Sequence, residues 1–387
     1  MAEIRVQNLH KAFADFTAVQ DSSFTVRDGE FFCLLGPSGC GKTTTLRMIA
    51  GLELPTSGQI FLGGEDVTFK RASHRDIAFV FQLFALYPHM NVRRNIAFPL
   101  VSQGLPRAQV AAKVAEAARV LRIEHLLDKP VSGLASGDRQ RVALGRAIVR
   151  HPLAFMMDEP LGALDSEFRE LMCRELRALH DRLHATTVYV THDQLEAMAM
   201  ADTIAIMNRG VIEQLGPPQE VYDRPASVFV ADFIGSPAMN FLAAGGGYVA
   251  GAEHVRIGEA VLRVPALRED APGPSMLIGV RPEHLRLAPA SALRAEVLGT
   301  EYLGTSQIVT CLTAQGATVR AQVGVDVPAQ RGHPVGLAFD PTRVSLFDEA
   351  TGRALRTARD DDTDSHDVRG ARPPARELGT SLGAAHG

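Results

Sequence analysis

The sequence predicts an α/β domain followed by a smaller all-β domain. Unbroken apolar runs at 31–35 (FFCLL), 153–158 (LAFMMD) and 186–192 (TTVYVTH) predict strands buried on both faces, because such strands have no solvent side. Between them, the Ala-rich segment 107–123 has helical spacing. After about residue 236, short alternating runs such as SMLIGV, QIVTCL and ATVRAQV are separated by turn residues. These runs predict a small β-barrel domain.

The composition is typical of a soluble globular protein with more than one domain. The chain has 387 residues, of which 46% are hydrophobic and 22% are charged. Its formal net charge of -4 argues against nucleic-acid binding, which normally needs a basic surface. Four widely spaced cysteines form no CxxC pair and indicate reduced thiols. The chain shows neither a signal-peptide apolar region nor a membrane-spanning run, so we expect any membrane role to come through partners.

The change in composition along the chain predicts three regions. The α/β domain is expected to cover residues 1–235, and the β-rich domain residues 236–350. Residues 351–387 contain almost no large apolar side chains and carry charges of both signs. This composition predicts a disordered tail, and a regulatory or partner-binding tail is the alternative.

A glycine-rich loop directly follows the predicted strand at 31–35. The stretch GPSGCGKTT matches G-x-x-x-x-G-K-[ST], a loop whose backbone N–H groups surround phosphates at the start of a helix. Lys42 would reach the β- and γ-phosphates, and the Thr43 hydroxyl would ligate Mg²⁺. The strand–loop–helix setting favours this interpretation over a chance glycine-rich turn. The predicted nucleotide-binding residues of the loop are Gly36, Pro37, Ser38, Gly39, Cys40, Gly41, Lys42, Thr43 and Thr44.

The run AFMMDEP supplies an acidic partner for this loop. Asp158 ends a predicted buried strand and is suited to hold the Mg²⁺ shell through water. Glu159 follows at once and is suited to orient or deprotonate the attacking water. An apolar run that ends in Asp-Glu is a weak signal alone, but with the upstream loop it predicts an ATPase or GTPase. A nucleotide-binding protein without hydrolysis is the alternative.

With these motifs on one chain, the sequence resembles the ATP-binding subunits of ABC transporters. Such subunits have a P-loop NTPase cassette with a helical subdomain, here at about 88–150. The resemblance implies that Phe13 stacks on adenine and that Gln82, in VFQLFALYPHM, touches Mg²⁺ or the attacking water. It also implies that Asp165, in LGALD, crosses a dimer interface and that His192, in VTHDQLEAMAMAD, contacts the γ-phosphate. An ordinary core aromatic is the alternative for Phe13, and a structural histidine is the alternative for His192.

Further segments narrow the resemblance to the carbohydrate-importer branch. YPHM, FVADFIGSPAMNFL (228–242) and IGVRPEHLRL (278–287) are similar to the ATPases of maltose and glycerol-3-phosphate uptake, in which OB-like β-barrels follow the cassette. This resemblance implies ATP-driven import of a sugar, polyol or glycerol phosphate at the cytoplasmic face of the plasma membrane. The implied partners are two transmembrane permeases, a second ABC ATPase subunit and, indirectly, an extracytoplasmic solute-binding protein. Arg281, Pro282 and Glu283 are expected to be structural.

The stretch GLASGDRQRVALGRA (133–147) departs from the family signature L-S-G-G-Q. RQRVA fixes the frame, so the signature positions are Leu134, Ala135, Ser136, Gly137 and Asp138. Ala135 lacks the hydroxyl that the family directs at the γ-phosphate of the opposite ATP, and Asp138 places a carboxylate near an anionic nucleotide. Each departure has an alternative interpretation. The Ser136 hydroxyl could replace the hydroxyl that Ala135 lacks, and Asp138 could cap its own helix.

These departures concern only the opposite ATP, whereas the residues for the chain's own ATP fit the family. We therefore hypothesise that the chain pairs with a second, different cassette that carries an intact signature. A homodimer in which the backbone N–H groups suffice is one alternative. A regulatory ABC ATPase that is not coupled to transport is another. The sequence disfavours the regulatory ATPase because it shows one cassette, no heptad run and a mildly acidic charge.

Overall fold

The computed structural model describes residues 2–81, 85–150, 152–162, 164–271 and 273–363. The chain divides into two compact units, Met1–Pro218 and Gln219–Gly387. This division falls earlier than residue 235, so residues 219–235 group with the second unit, and the predicted boundary at 235 stays a prediction. Among the described residues, no helix is both long and apolar enough to span a membrane.

The first unit alternates strands and helices along the chain, as the sequence predicts. Its elements are β1 (Ile4–Phe13), β2 (Phe16–Val26), β3 (Phe31–Leu35), α1 (Lys42–Ile49), β4 (Ser57–Leu62), β5 (Glu65–Asp66), β6 (Ile77–Val80), α2 (Val92–Ser102), α3 (Arg107–Val120), α4 (Ser136–Ile148), β7 (Ala154–Asp158), α5 (Ser166–Leu183), β8 (Thr186–Thr191), α6 (Gln194–Met200), β9 (Thr203–Asn208) and β10 (Val211–Gly216). The three predicted apolar runs are confirmed as β3, β7 and β8. The predicted helix at 107–123 ends at Val120, because Arg122 adopts a left-handed conformation with φ 55.

A mostly parallel sheet forms the centre of the first unit. Its described strand order is β10-β9-β3-β8-β7-β6, and only the β9–β10 pair is antiparallel. Every residue of β3, β7 and β8 is buried. Because parallel strands present their carboxyl ends at one edge, the residues that follow β3, β7 and β8 meet there. A second, antiparallel sheet with the order β2-β1-β4-β5 shares a hydrophobic core with the central sheet.

Three helices form a separate layer within the first unit. α4 packs on both α2 and α3, and Ile96 and Leu121 approach it closely at Gly145. A Cβ on Gly145 would lie 3.2 Å from either of those side chains, so the glycine permits close helix packing. The amino end of α4 carries the signature residues.

The second unit is mainly strands, and its elements are α7 (Pro218–Asp223), α8 (Val228–Phe233), β11 (Asn240–Gly245), β12 (His254–Ile257), β13 (Ala260–Arg263), β14 (Ser275–Val280), β15 (Leu285–Leu287), β16 (Leu293–Tyr302), β17 (Ser306–Thr313), β18 (Thr318–Gly324), β19 (Pro334–Phe339) and β20 (Val344–Asp348). A five-stranded antiparallel sheet has the order β15-β19-β16-β17-β18, and a three-stranded sheet has the order β11-β14-β20. One hydrophobic core contains residues of both sheets. This architecture confirms the predicted all-β domain and is consistent with an OB-like fold.

Arg281 links helix α7 to helix α8 inside the second unit. Its buried guanidinium donates hydrogen bonds to the carbonyls of Ala231, Ile234 and Tyr222 and lies 4.1 Å from the centroid of the Tyr222 ring. The Tyr222 hydroxyl in turn donates to Glu283 at 2.6 Å. The expected structural role agrees with these contacts, because a buried cation needs several acceptors.

Part of the predicted tail has a described structure. Leu355 and Thr357 are buried, and Ala358–Thr363 form a 3-10 turn. Arg359 donates to the carbonyl of Val344 at 2.7 Å, and Arg268 pairs with Asp361. Residues 351–363 are therefore ordered, because polar contacts and a few buried side chains hold them, although the low apolar content of the tail predicts disorder. Residues 364–387 lie outside the described part of the chain.

Candidate nucleotide-binding site

The glycine-rich loop spans the gap between β3 and α1, and its shape depends on two glycines. A Cβ on Gly36 would lie 2.2 Å from the carbonyl oxygen of Met207, and one on Gly41 would lie 2.4 Å from that of Ala18. Gly41 also has φ 106, a conformation that other residues rarely adopt. The loop is thus pressed against neighbouring backbone and could not keep its shape with larger residues at these positions. The rest of the predicted loop surrounds these glycines: Pro37 is half-buried, Ser38 and Gly39 are exposed, and Cys40 is buried.

Lys42 lies inside this loop. Its ammonium donates to the carbonyls of Gly36 at 2.7 Å and Pro37 at 2.9 Å, and it lies 3.8 Å from the Cys40 sulfur. The side chain is buried, and its charge faces only backbone dipoles and a thiol in these contacts. A buried cation that has only neutral acceptors is well placed to attract an anion such as a phosphate.

Two of the three residues predicted to hold Mg²⁺, Thr43 and Asp158, contact each other. The Thr43 hydroxyl donates to the Asp158 carboxylate at 2.9 Å, which joins the start of α1 to the end of β7. Burial raises the pKa of Asp158, and the hydrogen bond from Thr43 opposes that rise. Two hard oxygen donors side by side next to the phosphate loop are ligands that Mg²⁺ prefers, since it is commonly held by few protein groups together with phosphates and water.

Glu159 and His192 form a second pair beside the first. The Nδ1 atom of His192 lies 3.1 Å from Glu159 Oε1, so the pair joins the end of β7 to the end of β8. Glu159 has φ 45, a strained backbone for a residue with a side chain, and its N–H donates to the Val190 carbonyl at 2.9 Å. The sheet therefore holds a carboxylate and an imidazole together at the edge where the loop lies.

The remaining predicted residues for the chain's own ATP lie in different settings. Phe13, at the end of β1, is 44% exposed, and the Lys11 ammonium lies 4.5 Å from its ring centroid. This exposure favours a stacking surface over a core aromatic. Thr44 is half-buried in the first turn of α1. Gln82 lies outside the described residues.

The signature residues surround the amino end of α4. Leu134 is buried, Ala135 and Ser136 are exposed, and Gly137 and Asp138 are half-buried. Ala135 occupies the N-cap position, where no side chain bonds to the helix, and Asp138 lies in the first turn. The Asp138 carboxylate accepts a hydrogen bond from Arg141. Asp138 therefore has a structural partner, but this partner is an arginine and not the helix cap that the sequence suggests.

Leu164, from the segment LGALD that we call the D-loop, contacts the amino end of this helix. Asp165 caps α5 by accepting from the Phe168 N–H at 2.9 Å, and Leu164 packs against Gly137, where a Cβ would lie 2.9 Å from Leu164 Cδ2. Arg169 donates to the Leu164 carbonyl and to the Asp193 carboxylate, each at 2.9 Å. The motifs in the sequence do not indicate Arg169 or Arg141, although each lies three or four residues from a named motif position.

A groove between β6, α2 and α4 lies close to the segment that follows Gln82. We call it the α2–α4 groove, and its volume is about 380 Å³; it is lined by Phe79, Tyr87, Phe98, Arg146 and Arg150 among others. Arg146 donates to the Ala85 carbonyl at 2.7 Å and lies 5.4 Å from the Tyr87 ring centroid. The Asn95 side chain holds the backbone of Tyr87 through two hydrogen bonds. The groove thus combines aromatic surface with positive charge.

Comparison with known proteins identifies the family. The sequence pattern of the ABC transporter family matches residues 19–162, and that of the TOBE domain matches residues 278–347. A trehalose/maltose import ATP-binding protein of Thermococcus litoralis is 46% identical, covering 92% of this chain and 100% of that protein. The chain belongs to the import ATP-binding proteins of the ABC transporter family. An sn-glycerol-3-phosphate import ATP-binding protein of Cereibacter sphaeroides is 42% identical, with coverage of 92% and 100%.

Solved structures agree with the architecture of the cassette. The dimeric structure of a bacterial ABC transporter cassette matches with a TM-score of 0.52 at 28% identity, covering 56% of this chain and 98% of that one. A post-hydrolysis state of an ATP-binding cassette bound to ADP and Pi matches with a TM-score of 0.51 at 27% identity, with the same coverage. The ABC protein described here is accordingly an ATPase that binds ATP, and the predicted P-loop fold is confirmed.

Proposed function

We propose that this ABC ATPase powers import of a sugar, polyol or glycerol phosphate from the cytoplasmic face of the membrane. The observation that carries the proposal is the meeting of five side chains at one sheet edge: Lys42 lies inside the loop, Thr43 contacts Asp158, and Glu159 contacts His192. The solute class is supported by the relatives, whose names specify trehalose, maltose or sn-glycerol-3-phosphate import.

Within this site, each residue has a distinct task in hydrolysis. Lys42 binds the β- and γ-phosphates, and Thr43 with Asp158 would hold Mg²⁺, Asp158 acting through water. When bound, the ion neutralises charge that develops on the phosphate oxygens. Glu159 orients or deprotonates the attacking water. His192 holds the Glu159 carboxylate in place and itself contacts the γ-phosphate. Gln82 contributes to the same metal and water, and Phe13 stacks on adenine.

The signature helix serves the ATP of a facing cassette. Ala135 and Ser136 are exposed at the start of α4, where backbone N–H groups and the helix dipole attract an anion. The dimeric relatives support a pair of cassettes. Ala135 has no hydroxyl to offer the γ-phosphate, so the pairing with a different cassette that has an intact signature remains our hypothesis. The homodimer is its alternative.

The α2–α4 groove is the docking site for a cytoplasmic segment of a permease. Phe98 is 37% exposed, and its ring lies tilted against the Tyr87 ring with centroids 4.6 Å apart, so the groove offers apolar surface to a partner. Arg146 favours a segment with acidic groups, whereas Arg150 is paired with Asp76 at 3.1 Å. The groove lies beside the segment that follows Gln82. The residue proposed to contact the nucleotide site and the residues proposed to bind the permease are therefore close together in the sequence.

Two measurements test the proposal. The purified chain should hydrolyse ATP slowly, and Glu159→Gln should lower this rate at least 100-fold while ATP binding persists. Rapid hydrolysis by the purified chain would contradict the requirement for a second cassette. Equal rates for the wild type and Glu159→Gln would contradict the assigned site.

The membrane partner is tested separately by co-purification from detergent-solubilised membranes of the source organism. Phe98→Glu should lose the permeases without changing the ATPase of the isolated chain. Phe69→Glu is the matched control, because Phe69 is 79% exposed in the same unit and away from the groove. If no integral membrane protein co-purifies with the wild type, a regulatory ATPase replaces the importer.

A further inference from the structure

Asp138 is bound to a cation within its own helix. Its carboxylate accepts a hydrogen bond from Arg141 three residues later, and the two side chains are only 23% and 15% exposed. Residues at this spacing face each other on a helix. A charge-assisted contact with so little water access is stronger than an exposed ion pair.

Arg141 is itself held by three other groups. Its Nη1 atom lies 3.5 Å from the Leu121 carbonyl oxygen and 3.3 Å from that of Arg122. Its guanidinium lies 4.6 Å from the centroid of the Phe168 ring, and the Phe168 N–H is bound to Asp165. The guanidinium therefore has a fixed position, and a carboxylate bound to it is fixed as well.

A carboxylate at position 138 would disfavour ATP binding in the proposed dimer of cassettes through electrostatic repulsion. In a closed pair of cassettes, the amino end of α4 meets the phosphates of the opposite ATP. An unpaired carboxylate would repel them, and the repulsion grows as water is excluded from the closing interface. A carboxylate bound to a fixed arginine presents a nearly neutral pair.

We propose that Arg141 is a positioning residue for hydrolysis of the opposite ATP. It draws the Asp138 carboxylate onto the body of α4, so that the exposed Ser136 and the backbone of Gly137 meet the phosphates. The role depends on the substitution of glutamine by Asp138 in the signature of this chain. The inference rests on the proposed function, because it needs a facing nucleotide.

A double-mutant cycle tests this assignment. The wild type, Arg141→Gln, Asp138→Asn and the double variant are assayed for kcat and KM, in the complex with permeases and as the isolated chain. We expect Arg141→Gln to lower kcat/KM for ATP about 10-fold or more, mainly through KM, and high salt to restore part of the loss. Because Asp138→Asn removes the charge that Arg141 would hold, the double variant should lie within about 3-fold of Asp138→Asn.

Additive losses in this cycle would overturn the inference, because Arg141 would then act without reference to the charge of Asp138. Arg93→Gln is the matched control, since Arg93 pairs with Asp128 on the surface of the same helical layer, with side chains 47% and 79% exposed. It should leave the kinetics unchanged. An inactive wild-type complex that Glu159→Gln does not alter would instead contradict the proposed function.

A second variant keeps the test decisive if Arg141→Gln does not fold. Phe168→Leu removes the aromatic face beneath the guanidinium but leaves the ion pair. We expect a smaller rise in KM of the same sign, which Asp138→Asn should relieve. A rise in KM that Asp138→Asn does not relieve would overturn the inference.

Discussion

The two halves of the ATP machinery on this chain are built in opposite ways. The site for the chain's own ATP joins side chains from different elements: Thr43 on α1 contacts Asp158 on β7, and His192 after β8 contacts Glu159. The signature segment makes its charged contact within one helix, from Asp138 to Arg141, and leaves Ala135 and Ser136 exposed.

This difference separates a site that one chain assembles from a surface that needs a partner. The first depends on the central sheet, which brings distant positions together at one edge. The second depends on the amino end of α4, where the local sequence determines which side chains and charges face the partner. Substitutions in the first region should therefore abolish function, and those in the second should adjust it.

The largest effect is expected for Lys42→Ala. Loss of the buried ammonium removes the charge that the loop surrounds, so ATPase activity should fall at least 100-fold and ATP binding should weaken. Steady-state hydrolysis and nucleotide titration measure both. Lys70→Ala is the control, because Lys70 pairs with Glu65 on the surface, and it should change activity less than 2-fold. Unchanged ATP binding in Lys42→Ala would mean that the chain does not assemble its own site.

A smaller loss of activity is expected for a substitution at Gly137, where the signature contacts Leu164 of the D-loop. A side chain there would press on Leu164, next to the D-loop, so Gly137→Val should lower the ATPase rate about 10-fold while the fold persists. Gly133→Val is a matched control, since nothing lies within 4 Å of its Cβ position. Equal rates for the two variants would show that the signature and the D-loop act independently.

The sequence was informative for the fold and for much of the own-ATP site. Strands β3, β7 and β8 are continuous apolar runs, and the loop pattern depends on spacing alone, so both can be recognised locally. The Glu159–His192 pair required the family resemblance, because only the sheet brings these residues together. The pairing of Asp138 with Arg141 is accessible from their spacing of three residues on a helix, although the signature pattern indicates only helix capping or a carboxylate that faces the nucleotide. The anchoring of Arg141 by Phe168 and by the carbonyls near Leu121 could not be predicted, since it depends on tertiary packing.

A gain is expected when the missing hydroxyl is restored. Ala135→Ser should raise the ATPase rate about 3-fold, since one hydrogen bond contributes about 0.5–1.5 kcal/mol net. Ala112→Ser, on the exposed surface of α3, should have no effect. A rate that does not rise would indicate that Ser136 already supplies the hydroxyl, and the argument for a different second cassette would weaken.

The smallest effect concerns the support beneath the own-ATP site. His180 on α5 is buried, lies 3.2 Å from the Thr187 hydroxyl of β8 and packs on the Phe31 ring of β3. Burial lowers the pKa of His180, so the unfolded chain binds a proton at a higher pH than the folded chain does. Stability from the neutral imidazole is therefore fully present above the unfolded pKa of about 6.5 and is lost as the pH falls below it, through the lower pKa of the folded chain.

Thermal unfolding at pH 7.5 and pH 6.0 measures this loss, and the Tm of the wild type should fall by about 2 °C more than that of His180→Gln. His125→Gln, at an exposed histidine in the helical layer, should retain the full pH dependence of the wild type. Acid would then weaken the sheet that assembles the own-ATP site, while the signature helix rests on α2 and α3. If His180→Gln keeps the full pH dependence, the acid-sensitive support lies elsewhere, and the sheet is not the more vulnerable of the two regions.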